Sequence, residues 1–506
     1  MILSETEFTD RRLATLDGLF RRAGVRHPEA VALADPPNCA DITGGAPRTL
    51  SYAEADRAIS GIAARLRELG LLTDSIVAIQ LGNTVESVIA LLGVMRAGMI
   101  AAPVPLLWRQ REMVEALGPL GPKAIITAGR IGVYAHANNA MQVAADLFPV
   151  RYVCAFGSDL PDGVVPLDDV FDAAPVDLVG AARIEQPAAH VAVVTFDVTA
   201  KGYVAVARSH AELIAGGLAV SLEVGLPPDS TILTTIPVSS FAGLSAALLP
   251  WLMCGGTLHL HHGFAADAFA AQRLVAHGGA LVLPGPVLTP LFEAGQLDGA
   301  NHILALWRAP ERLAGSEPWQ GEASLFDVVS FGEAGVCASA RGNDGLPAAI
   351  PHGAVGAPRD AADAMTLLET MRTKAGTIAL RGAMVPKAAF PPGAEHGGGA
   401  FFAPDEDGFV DTGFMCRLDR AAQALTVTGA PGGLATVGAY SFRPSELDAG
   451  VARIDAQATI MTVPDALLGL RLAGRGRERT PAFLQAIGLN ALVAGAFRQR
   501  KAADAA

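Results

Sequence analysis

Residues 49–104 read TLSYAEADRAISGIAARLRELGLLTDSIVAIQLGNTVESVIALLGVMRAGMIAAPV, and this stretch decides the fold class. Ser51, followed three positions on by Glu54, has the pattern of a capping box. The serine hydroxyl takes an orphan backbone N–H at the helix start, and the glutamate returns to the serine N–H. From 55 to 69 apolar residues recur every three or four positions, the period of a helix with one buried face, and the run stops at Gly70. Residues 75–81 (SIVAIQL) form a short β-rich run, 86–96 a second helix ending before Gly98, and 99–103 a second strand. These strands are apolar on both faces, which suits a parallel sheet covered by helices on each side.

Working outward, short apolar strands return at 123–127, 191–195, 231–236, 257–260, 280–283 and 326–330. The expectation is an α/β protein with two parallel-sheet layers. After about residue 375 the texture changes to short strands at 377–380, 409–412 and 425–428, separated by Gly/Pro-rich turns, which predicts a β-rich subdomain over about 375–429. Ala430-Pro431-Gly432-Gly433 is the best linker in the chain. The domains expected are therefore a large N-terminal one over 1–429 and a short C-terminal lid over 430–506.

With 506 residues, 51% hydrophobic and 17% charged, the chain is too apolar for disorder and large enough for two or three domains. A net charge of −12 argues against a nucleic-acid partner. The five cysteines are odd in number and widely spaced, with neither zinc spacing nor a disulfide framework. The acidic start MILSETEFTD is unlike a signal peptide, and the apolar run 243–253 is about half a bilayer span, so a cytoplasmic protein without a membrane span is expected. Lysine is scarce: Lys123, Lys201, Lys374, Lys387 and Lys501 stand against 33 arginines, which makes each lysine worth checking as a phosphate ligand.

Residues 49–130 resemble the N-terminal part of acyl-CoA synthetases and other adenylate-forming enzymes, and the resemblance continues in order to about residue 472. It implies that fold and, by family habit, a reaction in which ATP with magnesium activates a carboxylic acid to an acyl-adenylate. The acyl group then passes to a thiol, often coenzyme A. The motifs that carry this chemistry are altered one after another. In the phosphate loop, Thr195-Phe-Asp-Val-Thr-Ala-Lys-Gly202, the resemblance keeps Thr195 and Thr199. Phe196 and Val198 replace small hydroxyl residues, Asp197 and Ala200 replace glycines, and Tyr203 takes the place of the family lysine. An aspartate repels phosphate, and side chains on former glycines deny close backbone approach. Lys201, two positions short, either reaches round to the phosphates or is a solvated residue in an ordinary strand-turn-strand.

In Pro237-Val-Ser-Ser-Phe-Ala-Gly243 the resemblance assigns Ser240 and Gly243 to an acyl pocket, with a helix N-cap as the plain alternative for Ser240. Glu333, in Val329-Ser-Phe-Gly-Glu333, aligns with the glutamate that holds magnesium, whereas Val329 and Gly332 replace the adenine-stacking aromatic and a threonine. In Asp411-Thr-Gly-Phe414, Thr412 and Gly413 match, but Phe414 replaces the ribose-binding aspartate; Ala430 replaces the arginine before the hinge. Lys501 lies in a basic tail without the expected context of a lid lysine.

Two functions follow. One is an acyl-CoA synthetase-like protein with weak or lost adenylation that binds an acyl or aryl ligand or a partner protein. The other is an active acid–thiol ligase with a divergent site. Lost charged contacts at roughly 1.5–3 kcal/mol each favour the first, even allowing for non-additivity. Phe414 and Phe196 are expected to fill part of the old nucleotide cleft. The resemblance also leaves room for a homodimer, or for a partner that supplies the missing lid residues.

Overall fold

The computed structural model describes residues 15–172, 187–355, 366–396 and 402–497. Lys501 and the acidic start lie outside them. The helix Tyr52–Glu68 begins as its sequence dictates: Ser51 Oγ accepts the Glu54 N–H, and the Glu54 carboxylate accepts the Ser51 N–H at 2.8 Å. Its apolar stripe, including Ala55, Ile59, Ile62 and Leu66, is fully buried. All twelve residues of the next helix, Val85–Arg96, are buried. A helix apolar on every side needs cover on every side, and here it lies inside the core rather than on its surface. Close approach to the preceding helix requires glycine at 93, where an added Cβ would stand 2.6 Å from Ile62 Cβ. Arg96 carries a charge into this layer and is held by Asp17 at 2.6 Å and Asp56 at 2.7 Å.

Two large sheets flank these helices. One has eight strands in the spatial order Gly335–Ala340, Ser324–Phe331, His302–Trp307, Ala280–Pro284, Ile232–Thr234, Leu258–Leu260, Val31–Ala34 and Thr49–Ser51. Its interior pairs are parallel, and only the two edge strands run antiparallel to their neighbours. The other has seven strands, Val165–Pro166, Tyr152–Phe156, Ala124–Ala128, Ile76–Ile79, Ile100–Pro103, Val191–Thr199 and Gly202–Ser209, parallel except for the last pair. The two-residue period of a strand divides this sheet between cores. Val77 and Ile79 join the core shared with the eight-stranded sheet, while Ala78 faces a second core with Met113, Leu117 and Val143 on the helices of the far side.

The β-rich region is a six-stranded antiparallel sheet in the order Ile350–Pro351, Ala424–Gly429, Val410–Asp419, Thr377–Arg381, Leu368–Arg372 and Gly353–Val355. It draws in strands from Ile350, ahead of the change of texture near 375. Strands of two or three residues give no alternation to read. After the Pro431 turn come a hairpin (Ala435–Val437 with Tyr440–Phe442), the helix Pro444–Ile454, a second hairpin (Thr459–Asp465 with Gly469–Arg475) and two short helices. This region packs on its own apolar core of Val437, Phe442, Val451, Ile460, Leu484 and Val493. It docks on the body through Arg443 to Glu115 at 2.8 Å and the Asn490 N–H to Glu112 at 3.0 Å.

All five cysteines are free and buried. Among the described residues no helix is long and apolar enough to cross a membrane.

Candidate functional site: a cleft between the sheets and the C-terminal region

A cavity of about 650 Å³ opens where the parallel strands of the two large sheets end, and the C-terminal region forms its roof. Its walls are largely aromatic and aliphatic, with Trp108, Phe196, Trp307, Phe331 and Phe414 among them; Tyr440 and Leu468 contribute from the roof. Phe414 and Phe196 are both buried, at 6% and 7% exposure. Phe414 packs edge-on against Phe331 with centroids 6.0 Å apart, and Phe196 against Trp108 at 5.4 Å. Both therefore stand in the cleft as expected from their bulk, and a sizeable apolar chamber remains beside them.

The segment that resembles the phosphate loop is a β-hairpin. Val191–Thr199 pairs with Gly202–Ser209 down to Thr199 opposite Gly202, leaving Ala200 and Lys201 as the whole turn. A two-residue turn has no run of inward-facing N–H groups to cradle a phosphate. Thr199 lines the cavity, but its hydroxyl closes the turn, donating to the Gly202 carbonyl at 3.1 Å and accepting the Lys201 N–H at 3.2 Å. Thr195 is buried behind the wall, with Oγ1 directed at the Val206 carbonyl. Lys201 is exposed at the turn and does not line the cavity. Tyr203 points away from it, toward Trp108 at 4.9 Å and Arg443 at 5.4 Å.

Of the two residues assigned to an acyl pocket, only Ser240 lines the cavity. Its hydroxyl caps the helix that starts at Phe241, accepting the Gly243 N–H at 3.2 Å. Gly243 is not among the residues that line the cavity. A Cβ there would stand 2.1 Å from the Pro237 carbonyl oxygen, so glycine is required by the tight strand-to-helix corner.

Glu333 follows the strand Ser324–Phe331 and is 1% exposed. Both of its oxygens are committed: Oε2 accepts the Phe241 N–H at 2.8 Å, and Oε1 pairs with Arg308 Nη2 at 3.2 Å. Asp197, the residue that replaces a loop glycine, turns toward the same spot. Its Oδ2 accepts the Glu333 N–H and its Oδ1 the Val198 N–H, each at 2.8 Å. Arg208 lies beneath, donating to the Glu333 and Ala334 carbonyls and stacking on Phe241 at 3.7 Å. Burial pushes the pKa values of both Glu333 and Asp197 up, opposed by the nearby arginines, and it lowers that of Arg208 to about 10. The cluster is thus two carboxylates against two guanidinium groups. Each oxygen of Glu333 already accepts one hydrogen bond and Arg308 neutralises its charge, so the cluster as it stands offers magnesium no unpaired carboxylate. Among the described residues no group of three or more His, Cys, Asp or Glu side chains could hold a metal.

Thr412 lines the cleft, but its hydroxyl donates to the Ile378 carbonyl at 2.7 Å and accepts the Phe414 N–H at 3.3 Å. Gly413, at φ +73°, bulges this strand, and Asp411 holds the bulge: Oδ1 accepts the Gly413 N–H at 2.9 Å and Oδ2 the Thr377 hydroxyl at 3.0 Å. The fold therefore brings Thr199, Ser240, Glu333 and Thr412 into one cleft and leaves Thr195, Lys201 and Gly243 outside it.

The cleft cations missed from the sequence are arginines, Arg308 and Arg312 on the lining and Arg208 below it. Scarcity drew the eye to lysine. Nothing local marks Arg308 among 33 arginines except its place directly after an apolar strand ending in Trp307.

The AMP-binding enzyme family matches residues 20–287. A 2-hydroxy-7-methoxy-5-methyl-1-naphthoate–CoA ligase of Streptomyces carzinostaticus is 24% identical over 469 residues, covering 88% of this chain and 80% of that protein. A ligase of Mycobacterium tuberculosis that joins CoA to a methyl-dioxo-octahydroindenyl propanoate is 24% identical over 83% of this chain and 82% of its own length. Among solved structures, a double mutant of Bacillus subtilis o-succinylbenzoate CoA synthetase superposes with a TM-score of 0.64 at 16% identity, covering 90% of this chain and 87% of that one. ATP-bound MatB of Rhodopseudomonas palustris gives 0.61 at 17% identity, with 93% and 92% covered. The fold is that of these enzymes, and the chain belongs to the AMP-binding enzyme family.

Proposed function

We propose that this protein is an acyl-CoA synthetase-like member of its family that binds an apolar, preferably aryl, carboxylic acid in the cleft and has weak or lost adenylation. The observation that carries the reading is the commitment of Glu333, whose carboxylate is taken by Arg308 and the Phe241 N–H. The hairpin at Ala200-Lys201 and the buried Phe414 support it, since both stand where the family grips phosphate and ribose. The aromatic walls suit a ring system, and relatives that act on a naphthoate and on a bicyclic propanoate point the same way. The same reading puts the protein in the cytoplasm, alone, as a homodimer or with a partner protein.

The relatives named above are CoA ligases along four-fifths or more of this chain, and that favours a second reading, an active ATP-dependent acid–CoA ligase. In it Glu333 would release Arg308 to take magnesium, Thr195, Thr199, Lys201 and Thr412 would serve the nucleotide, and Ser240 with Gly243 would border the acyl group. Carboxylate-dependent exchange of pyrophosphate into ATP separates the two. We expect none with magnesium across fatty, aryl and amino acids, and none after Phe414→Asp, because Tyr203 and Ala430 leave other contacts missing. Exchange by the wild-type protein that Glu333→Gln removes would establish the ligase.

A further inference from the structure

We propose that Arg308 is the carboxylate anchor of the cleft, so that an apolar aryl acid is held by a guanidinium group with neither a divalent cation nor a nucleotide. The inference rests on the ligand-binding reading above and names the chemistry of that site.

It follows from a count of donors and acceptors around the cavity. Each oxygen of the lining carboxylates already accepts a hydrogen bond. Glu333 is taken by Phe241 and Arg308, Asp197 by two backbone N–H groups, and Asp411 by Gly413 and Thr377. Of the two lining arginines, Arg312 is tied to the roof, donating to the Ala466 and Leu467 carbonyls at 3.0 and 3.1 Å. Arg308 has a single side-chain hydrogen-bond partner among the described residues, against two for Arg312. It makes one ion pair through Nη2 while its side chain stays 26% exposed on the cavity wall.

A guanidinium carries five N–H donors in a planar fork, so pairing with Glu333 through one nitrogen leaves an edge for a second carboxylate. Trp307, next in the chain, and Phe331 line the same cavity, which places apolar surface for a ring near the charge. The charge balance is also favourable. Glu333 and Asp197 already cancel Arg308 and Arg208, and burial shifts both carboxyls toward the protonated form. Glu333 in this arrangement holds the anchor in place, as a positioning residue, and the cation that the family draws from solvent is built into the chain.

The test is calorimetric titration of the full chain with 1-naphthoate and with 1-naphthamide, its uncharged counterpart, in EDTA without nucleotide. The wild-type protein should bind the acid at least roughly tenfold more tightly than the amide, the size of one charged hydrogen bond. Arg308→Gln should erase that preference by weakening the acid far more than the amide, and Arg308→Lys should restore part of it. If Arg308→Gln does not fold, the acid-to-amide ratio of the wild-type protein and of Arg308→Lys decides. Equal binding of acid and amide by the wild type, or an unchanged preference in Arg308→Gln, overturns the anchor and leaves the ligand cleft standing. Acid binding that appears only with magnesium and ATP overturns the anchor in favour of the ligase. Binding of neither compound overturns the cleft reading itself.

Discussion

The surface start of the helix Tyr52–Glu68 and the buried cleft floor around Glu333 satisfy their polar groups in opposite ways. At the helix start the cap is local: Ser51 and Glu54 serve each other three residues apart. On the cleft floor the partners are remote. Glu333 meets a backbone N–H 92 residues away and Asp197 one 136 residues away. The difference teaches that family ancestry persists where burial and local capping enforce it. On the cleft floor the polar groups are closed by side chains and backbone from distant parts of the chain.

This comparison can be broken at its strongest point. If Glu333 is part of the structure rather than a waiting metal ligand, Glu333→Ala should lower stability by about 3 kcal/mol, since it strips a buried N–H and an arginine of their partner. Denaturant unfolding would show it, and a loss near zero would mean that the carboxylate is free for ligand chemistry. The strand-to-helix corner offers a sharper contrast within the same cleft. Gly243→Ala should cost about 1–3 kcal/mol, because its new methyl meets the Pro237 carbonyl and must push backbone aside. Thermal unfolding checks this, and a harmless alanine there would return Gly243 to the list of pocket residues. The smallest effect belongs to the helix start: Ser51→Ala should cost about 1 kcal/mol through the lost cap. A loss comparable to that of Glu333→Ala would abolish the distinction between the two regions.

Much of the fold was legible because its signals are short in range. The capping box, the stop at Gly70 and the apolar strands joined by helices each depend on residues within a turn or two of one another, and the structure has them at the expected positions. The substituted motif positions were legible too, since a phenylalanine at 414 cannot accept a hydrogen bond wherever it lies. The edges of the β-rich sheet were not, because two-residue strands such as Ile350–Pro351 exist only by virtue of a partner. Nor were the roles of Gly243 and Arg308. A glycine kept for a clash with a carbonyl and a glycine kept to border a ligand look the same in a sequence.

By itself the sequence determined the layered α/β architecture and which residue types stand at the positions that resemble the family's ribose and phosphate motifs. Both follow from residue type and local period, which need no knowledge of distant neighbours. Only the tertiary structure decided what those residues contact. Arg308, Glu333, Asp197 and Phe241 come from four separate stretches of chain, and the pairing of buried charges is settled by which of them the packed sheets bring within hydrogen-bond distance.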